Sequence, residues 1–430
     1  MIAYLLIPPV MTATQTVDEV LRQVTSLAPE MTAFLQEITR IPTVNPPGEC
    51  YADFAEVCGR YYQKAGYQVE RIVAEGHPDH TPAHPRINLL ARMEGSANAP
   101  CVHFNGHLDV VPVGAGWTKD PFGGEISQGR LYGRGTSDMK AGIAASLYAV
   151  EALRRAGVKL AGAVEQSATV DEESGGFAGV AYMAEHGYLN PSRQQHVIIT
   201  EPHGPDRICL GHRGVWWFDL VVYGHIAHGS MPFNGINAVD RMTEFLNAVN
   251  ERLRPKLAAR LTQMPVAPPP ARHPTLNINS IFAGQALDQR QTPCVPDRCT
   301  AVFDRRFLPE EELEEVKREF IDLMAETGLP HEIRDRMIVM PTFTPQDSPV
   351  SSAVDGAIRQ VCGKPPEFMA SPGTYDQKHF VRIAKVTDCI SYGPGLLDMA
   401  HQPDEYVSLD DLETSAKVMA LTVLRLQEVL

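Results

Sequence analysis

Along the first half of this chain, short apolar runs end in a histidine or a carboxylate, and helical segments separate them. INLLARM (87–93) and CVHFNGH (101–107) read as strands, and Met139–Ala156 reads as a helix with Ile143, Leu147, Val150 and Leu153 on one face. VEQSATV (164–170) is again a strand, Gly179–His186 a helix, and HVIIT (196–200) a strand. Strands that alternate with helices in this way predict an α/β fold whose sheet is covered on both faces. Upstream, residues 17–40 carry Val20, Leu21, Val24, Leu27, Met31, Phe34, Leu35 and Ile38 at helical spacing, with Pro29 expected to break or restart the helix. IPTVNPPG is a loop, Asp53–Ala65 a helix, and YQVERIVA a strand.

The rhythm changes near Gly211. From there the chain reads strand (WWFDLVVYG), helix (Asn237–Leu253), strand (TLNINSIF), strand (CTAVFDRRF), helix (Pro309–Thr327) and strand (HEIRDRMIV). A β-α-β-β-α-β order makes a small split α+β domain. A helix at Ser351–Val361, the strand-like VTDCISYG and a last helix at Asp410–Leu430 complete the first sheet. The expected division is therefore 1–210 and 341–430 in a larger domain, with 211–340 inserted.

At 430 residues the chain suits two domains, and its 44% hydrophobic content supplies a core for each. A formal net charge of −14 without a Lys/Arg cluster excludes nucleic acid as a partner. The eight cysteines are scattered without a C-x-x-C pair, which predicts reduced, buried thiols and a cytoplasmic location. A zinc site on Cys294 and Cys299 is the weaker alternative. MIAYLLIPPV at the start is too short to span a bilayer, lacks basic residues and reads as a frayed extension, with Met11 a possible start. No later run reaches transmembrane length, so no membrane association is expected.

Metal-ligating residue types stand where the strands end: His107 and Asp109 after CVHFNG, Glu172 and Glu173 after VEQSATV, Glu201 after HVIIT, and His401 beyond VTDCISYG. In an open α/β sheet the functional crevice lies outside the carboxyl ends of the strands, so these points converge. Asp138 sits just before a helix, whose N-terminal dipole favours a carboxylate. One histidine and one carboxylate per ion, with a shared carboxylate between, suits two zinc ions. His107 and Glu201 then hold one ion, Glu173 and His401 the other, and Asp138 both. Asp109 is expected to accept the imidazole N–H of His107. Glu172, beside a ligand but not one itself, is the expected general base.

The stretch 106–142 (GHLDVVPVGAGWTKDPFGGEISQGRLYGRGTSDMKAG), with TVDEESGG, ITEP, GHIAHGSMP, FDRRF, SPGTYDQ and AHQPDE, resembles one family of metallopeptidases. This is the acetylornithine deacetylase, succinyl-diaminopimelate desuccinylase, aminoacylase and glutamate carboxypeptidase family. The likeness runs from about Glu37 to the C-terminus. It implies the same ligands (His107, bridging Asp138, Glu173, Glu201 and His401), with Asp109 and Glu172 in their supporting and base roles. It also implies a zinc-peptidase-like catalytic domain and an inserted ferredoxin-like lid that makes a homodimer. His228 resembles the lid histidine that reaches the partner subunit's site and stabilises the oxyanion. Arg306, in the D-x-R pattern from Asp304, resembles the substrate-carboxylate clamp. Asn277, with Asn279 as a rival, resembles a substrate-holding asparagine, and Gly373 resembles a loop glycine whose backbone approaches the ligand. The peptide bond between Asp138 and Met139 is expected to be cis. His203 departs from the small polar residue of many relatives, and His212, Arg213, Trp216 and Trp217 have no assigned role, a lid-strand core being the expectation for the tryptophans.

The expected activity is removal of an acyl group from an N-acyl amino acid or similar small carboxylate-bearing substrate by Glu-assisted attack of a metal-bridging hydroxide. The cofactors are two Zn2+, with Co2+ or Mn2+ as substitutes. A dipeptidase or carboxypeptidase on the same scaffold is the alternative. A carbamoyl-amino-acid hydrolase and a catalytically dead binding protein are more distant ones.

Overall fold

The computed structural model describes residues 12–97, 99–284, 293–328 and 330–429. The segment MIAYLLIPPV and Met11 lie outside the described residues. The chain forms two compact units, one of residues 1–210, 344–368 and 375–430, the other of 211–343 and 369–374.

The first unit opens with the helix Ala13–Thr39, started by a capping box in which Thr12 and Gln15 satisfy each other's backbone N–H. Val20, Val24, Leu27, Met31, Phe34, Leu35 and Ile38 are buried along one face. The expected break at Pro29 does not occur: the helix runs through it. The buried stripe continues on both sides of the proline, and its packing offsets a helix penalty of about 3 kcal/mol. The helices Ala141–Arg155, Pro349–Cys362 and Leu409–Leu426 complete this packed layer.

The sheet is mixed. Strand order along it is Gln68–Val73, Ile87–Met93, Gly162–Thr169, Ala99–His107, His196–Ile199, Cys389–Ser391 and Arg207–His212. Ala99–His107 runs parallel to both Gly162–Thr169 and His196–Ile199, and Cys389–Ser391 is parallel to the latter. The edge pairs are antiparallel. Every residue of Gly162–Thr169 is buried. Successive strand residues point to opposite faces, so both faces are covered there, as the α/β rhythm predicts. Register places His107 beside Thr169 and Asn105 beside Ile199. The residues that follow these strands therefore emerge together.

The second unit holds four antiparallel strands in the order Thr275–Ala283, Arg298–Phe307, Gly214–Tyr223, His331–Val339. The helices Ala238–Ala248 and Leu313–Thr327 supply the two crossovers, which is the β-α-β-β-α-β order read from the sequence. Trp216 stacks on Phe218 at 3.8 Å between ring centres and meets Phe320 edge-on. This is the core expected for that tryptophan. Trp217, the next residue, points to the other face.

Candidate metal centre

Asp138 sits in the turn Thr136–Lys140, ahead of the helix Ala141–Arg155, and its peptide bond to Met139 is cis, as expected. The buried carboxylate of Glu405 organises this turn. Glu405 Oε1 accepts the N–H groups of Gly135 (3.1 Å), Ser137 (2.9 Å) and Asp138 (3.1 Å), while Oε2 takes Arg134 at 2.6 Å. Glu405 belongs to AHQPDE, and no spacing in the sequence links it to Asp138.

The residues expected to hold metal meet at the strand ends. His107 Nε2 lies 3.1 Å from Asp138 Oδ1 and 3.9 Å from Glu201 Oε1. On the other side, His401 Nε2 lies 3.5 Å from Asp138 Oδ2 and 3.1 Å from Glu173 Oε1. Each oxygen of Asp138 thus faces one histidine, and each histidine faces one glutamate. The donor types, imidazole and carboxylate without cysteine, fit divalent ions: His107, Asp138 and Glu173, and likewise His107, Glu172 and Glu201, bring ligand atoms within 4.8 Å of one another. The tautomer agrees. His107 Nδ1 donates to the backbone carbonyl of Asp109 at 3.0 Å, which leaves a lone pair on Nε2 facing the Asp138 carboxylate. Two such acceptors in contact need a cation or a proton between them.

Charge crowding says the same. Burial, with the Asp138 charge beside it, pushes the Glu173 carboxyl up to about 7 and moves Glu201 well above the usual carboxylate range. Burial opposes charge on His107, but the Asp138 hydrogen bond and the Glu201 and Asp109 charges raise it nonetheless. Hydrogen bonds to Asp138 and Glu173 lift His401 to about 10. Burial also raises Asp376, close by, to about 7. A carboxyl raised in the folded state binds protons more tightly there than in the unfolded chain, so stability falls as pH rises through the interval. The metal-free chain is therefore expected to melt at progressively lower temperature from about pH 4.5 to 7. With Zn2+ the trend reverses, because the ligands must be deprotonated to bind. Calorimetry with EDTA and with zinc checks this; a metal-free melting temperature that climbs over the interval counts against it.

Asp109 departs from expectation. Its carbonyl holds His107, while its carboxylate stands 3.6 Å from Nδ1 and is engaged elsewhere. The chain turns directly after the strand, which brings the main-chain oxygen nearer than the side chain. Asp109 Oδ1 and Oδ2 instead accept the N–H groups of Glu172 (3.1 Å) and Glu173 (3.2 Å), and Asn45 adds a donor at 3.1 Å. Asp109 thus anchors both the histidine and the turn that carries the two glutamates. Asp171, which starts that turn, is left-handed at φ 61°. Its carboxylate is held by Arg86 and Tyr51, each at 2.8 Å. Glu172 brings a carboxylate oxygen within 4.8 Å of ligand atoms of His107 and Glu201.

His228, Asn277, Arg306 and Gly373 belong to the second unit. His228 is exposed, with Nδ1 2.8 Å from Ser230 Oγ. Asn277 donates to its rival Asn279 at 2.6 Å, so the two exposed amides work as a pair. Asp304 grips Arg306 through Nε (2.7 Å) and Nη2 (3.1 Å), and the guanidinium lies over Trp217, 5.7 Å from the ring centre. Trp217 is thereby a platform for Arg306, not a core residue. Gly373 has room for a side chain: a Cβ would meet only Ser371 Oγ at 3.7 Å. Arg213 binds the carbonyls of Pro372, Ala271 and His273, and His212 Nδ1 lies 2.9 Å from the Arg213 carbonyl. Arg213 thus ties backbone segments together. His203 is buried, and burial depresses it to about 4, which keeps it neutral.

Residues 103–425 match the model of Peptidase family M20/M25/M40. The chain is 31% identical over 391 residues to succinyl-diaminopimelate desuccinylase of Methylobacterium radiotolerans, covering 88% of this chain and 92% of that protein. It is 29% identical over 393 residues to the desuccinylase of Rhodospirillum centenum, covering 90% and 94%. A dipeptidase from Saccharomyces cerevisiae has a similar fold, with a TM-score of 0.75 at 18% identity over 96% of this chain and 98% of that one. The matched span takes in every residue of the candidate centre, and the chain belongs to Peptidase family M20/M25/M40, a metal-dependent hydrolase of amide bonds.

Proposed function

We propose that this chain is a deacylase of N-acyl amino acids, working with two Zn2+ ions and preferring an acyl group that itself carries a carboxylate. The carrying observation is Asp138, whose two oxygens face His107 and His401 separately. His107 and Glu201 would hold one ion, Glu173 and His401 the other, with Asp138 shared. Ions held there would supply Lewis-acid chemistry, polarising the amide carbonyl and acidifying water. Glu172 takes a proton from the attacking water as the water oxygen adds to the carbonyl carbon. Glu172 then returns the proton to the amine nitrogen as the C–N bond breaks, so atoms and charge balance. In a homodimer His228 would serve the neighbouring subunit's site, donating to the carbonyl oxygen as negative charge builds there. Asp304 occupies Nε and Nη2 of Arg306 and so orients Nη1 towards a substrate carboxylate. Asn277 and the backbone at Gly373 hold the remainder of the substrate.

The acyl preference is supported by the desuccinylase relatives, which are closer in sequence than the dipeptidase. A homodimer through the second unit is part of the same reading. Ile226, Met231, Phe233 and Ile236 are exposed within one short segment of it, Phe233 to 79%. Apolar exposure of that kind marks a contact surface, and a two-fold dimer would bury it against itself. A monomer in sedimentation velocity would overturn this part. Cytoplasmic location is proposed from the cysteines, none of which forms a disulfide among the described residues.

The test is a substrate screen with added Zn2+ or Co2+. N-succinyl, N-acetyl and N-formyl amino acids are compared with dipeptides, and ammonia release is followed in parallel. The N-succinyl compounds are expected to give the highest kcat/KM. Dipeptides turned over best would transfer the reading to an exopeptidase, and stoichiometric ammonia from carbamoyl amino acids to a carbamoylase.

A further inference from the structure

The motif SPGTYDQ runs into Lys378, a residue for which the reaction as described has no use. Lys378 Nζ lies 2.7 Å from Glu172 Oε1, with the lysine side chain 4% and the glutamate 10% exposed. Asp376 Oδ1 is 4.0 Å from the same nitrogen. Burial opposes the ammonium charge, but Glu172 and Asp376 raise Lys378 above the ordinary lysine range, so it is a cation. The chain around it is clamped to the turn that carries Glu172 and Glu173. His379 Nε2 donates to the carbonyl of Gly175 at 2.7 Å, and the rings of His379 and Phe177 are 5.5 Å apart. Gly176 has φ +77°, and a Cβ there would stand 2.5 Å from Asp376 Oδ1 and 3.0 Å from His379 Nε2. Only glycine allows so close an approach. The ammonium is therefore delivered to one oxygen of Glu172 by a rigid contact between two segments far apart in sequence.

We propose that Lys378 is a positioning residue for hydrolysis, holding one oxygen of Glu172 so that the other addresses the attacking water. The proposal rests on Glu172 being the base. The proton moves from water to Glu172 to the amine nitrogen, and Lys378 keeps its own protons throughout.

The experiment compares Lys378→Met, Lys378→Arg, Glu172→Gln and the double variant Lys378→Met with Glu172→Gln. The probe is whichever N-acyl amino acid or dipeptide the screen above turns over fastest, with zinc content measured for each. Lys378→Met is expected to lower kcat about 10- to 100-fold, the usual effect of removing a group that holds a metal-site side chain in place, with KM and zinc little changed. Lys378→Arg should recover most of that loss. Added to Glu172→Gln, the lysine change should cost nothing further, because it acts through that carboxylate. A readout free of activity uses the metal-free protein: the two single variants should shift the melting temperature non-additively, reporting the pair directly. Lys378→Met turning over within twofold of wild type while Glu172→Gln is dead would overturn the lysine role alone. So would additive effects in both cycles, or an arginine variant no better than methionine. If Lys378→Met does not fold, Lys378→Gln carries the same comparison. Ordinary turnover by Glu172→Gln would instead overturn the base assignment and this inference with it.

Discussion

Glu172→Gln is expected to lower kcat by about 10²- to 10⁴-fold, the contribution of a positioned general base, while zinc content stays near two per chain. Glutamine keeps the shape of the side chain, and the Glu172 N–H still donates to Asp109, so the turn is preserved. The amide cannot take the proton of the attacking water. The four contacts that pair His107 with Glu201 and Asp138, and His401 with Glu173 and Asp138, do not involve Glu172. Its carboxylate nonetheless lies within reach of the His107 and Glu201 donors, so metal analysis decides between base and ligand. Loss of both ions would make Glu172 a ligand, and ordinary turnover would make it neither. Single-turnover kinetics on the metal-loaded variant locates the defect in chemistry as distinct from binding.

Asp138→Ala is expected to abolish both metal binding and turnover. One carboxylate stands between the two histidines, at 3.1 Å from His107 and 3.5 Å from His401, so on the proposed reading its removal would take a donor from each ion. Zinc at about a hundredfold over its Kd stabilises a folded chain by about 2.7 kcal/mol through mass action. The wild type should show that gain as a rise in melting temperature, and the variant should lose nearly all of it. In the metal-free state the change is smaller, because the Asp138 charge also pushes Glu173 and Glu201 upward, and that repulsion is relieved. A variant that retains both zinc ions after desalting would refute the shared role.

Much of the centre was legible as sequence because its parts share one local grammar. His107 ends one strand, and Glu173 and Glu201 come within a few residues of the ends of two others. Parallel strands bring their carboxyl ends to one edge whatever the intervening loops. Asp138 was legible from its place ahead of a helix. The split α+β unit was legible because its helical and strand periods differ and never blur. Pro29 misled because local propensity cannot weigh a buried stripe that continues on either side of it.

What the sequence alone determined is the periodic part of this protein: the element order, the α/β class, and the residue types that end the strands. The tertiary structure decided everything that depends on which oxygen or nitrogen is nearest in space. It put the carbonyl of Asp109 on His107 and its carboxylate on the glutamate turn. It put Glu405 under the Asp138 turn, Trp217 under Arg306, and Lys378 against Glu172. Periodicity constrains which face of an element is buried. Contacts between residues hundreds of positions apart follow only once the sheet has closed those loops, and no spacing along the chain encodes a hydrogen bond between them.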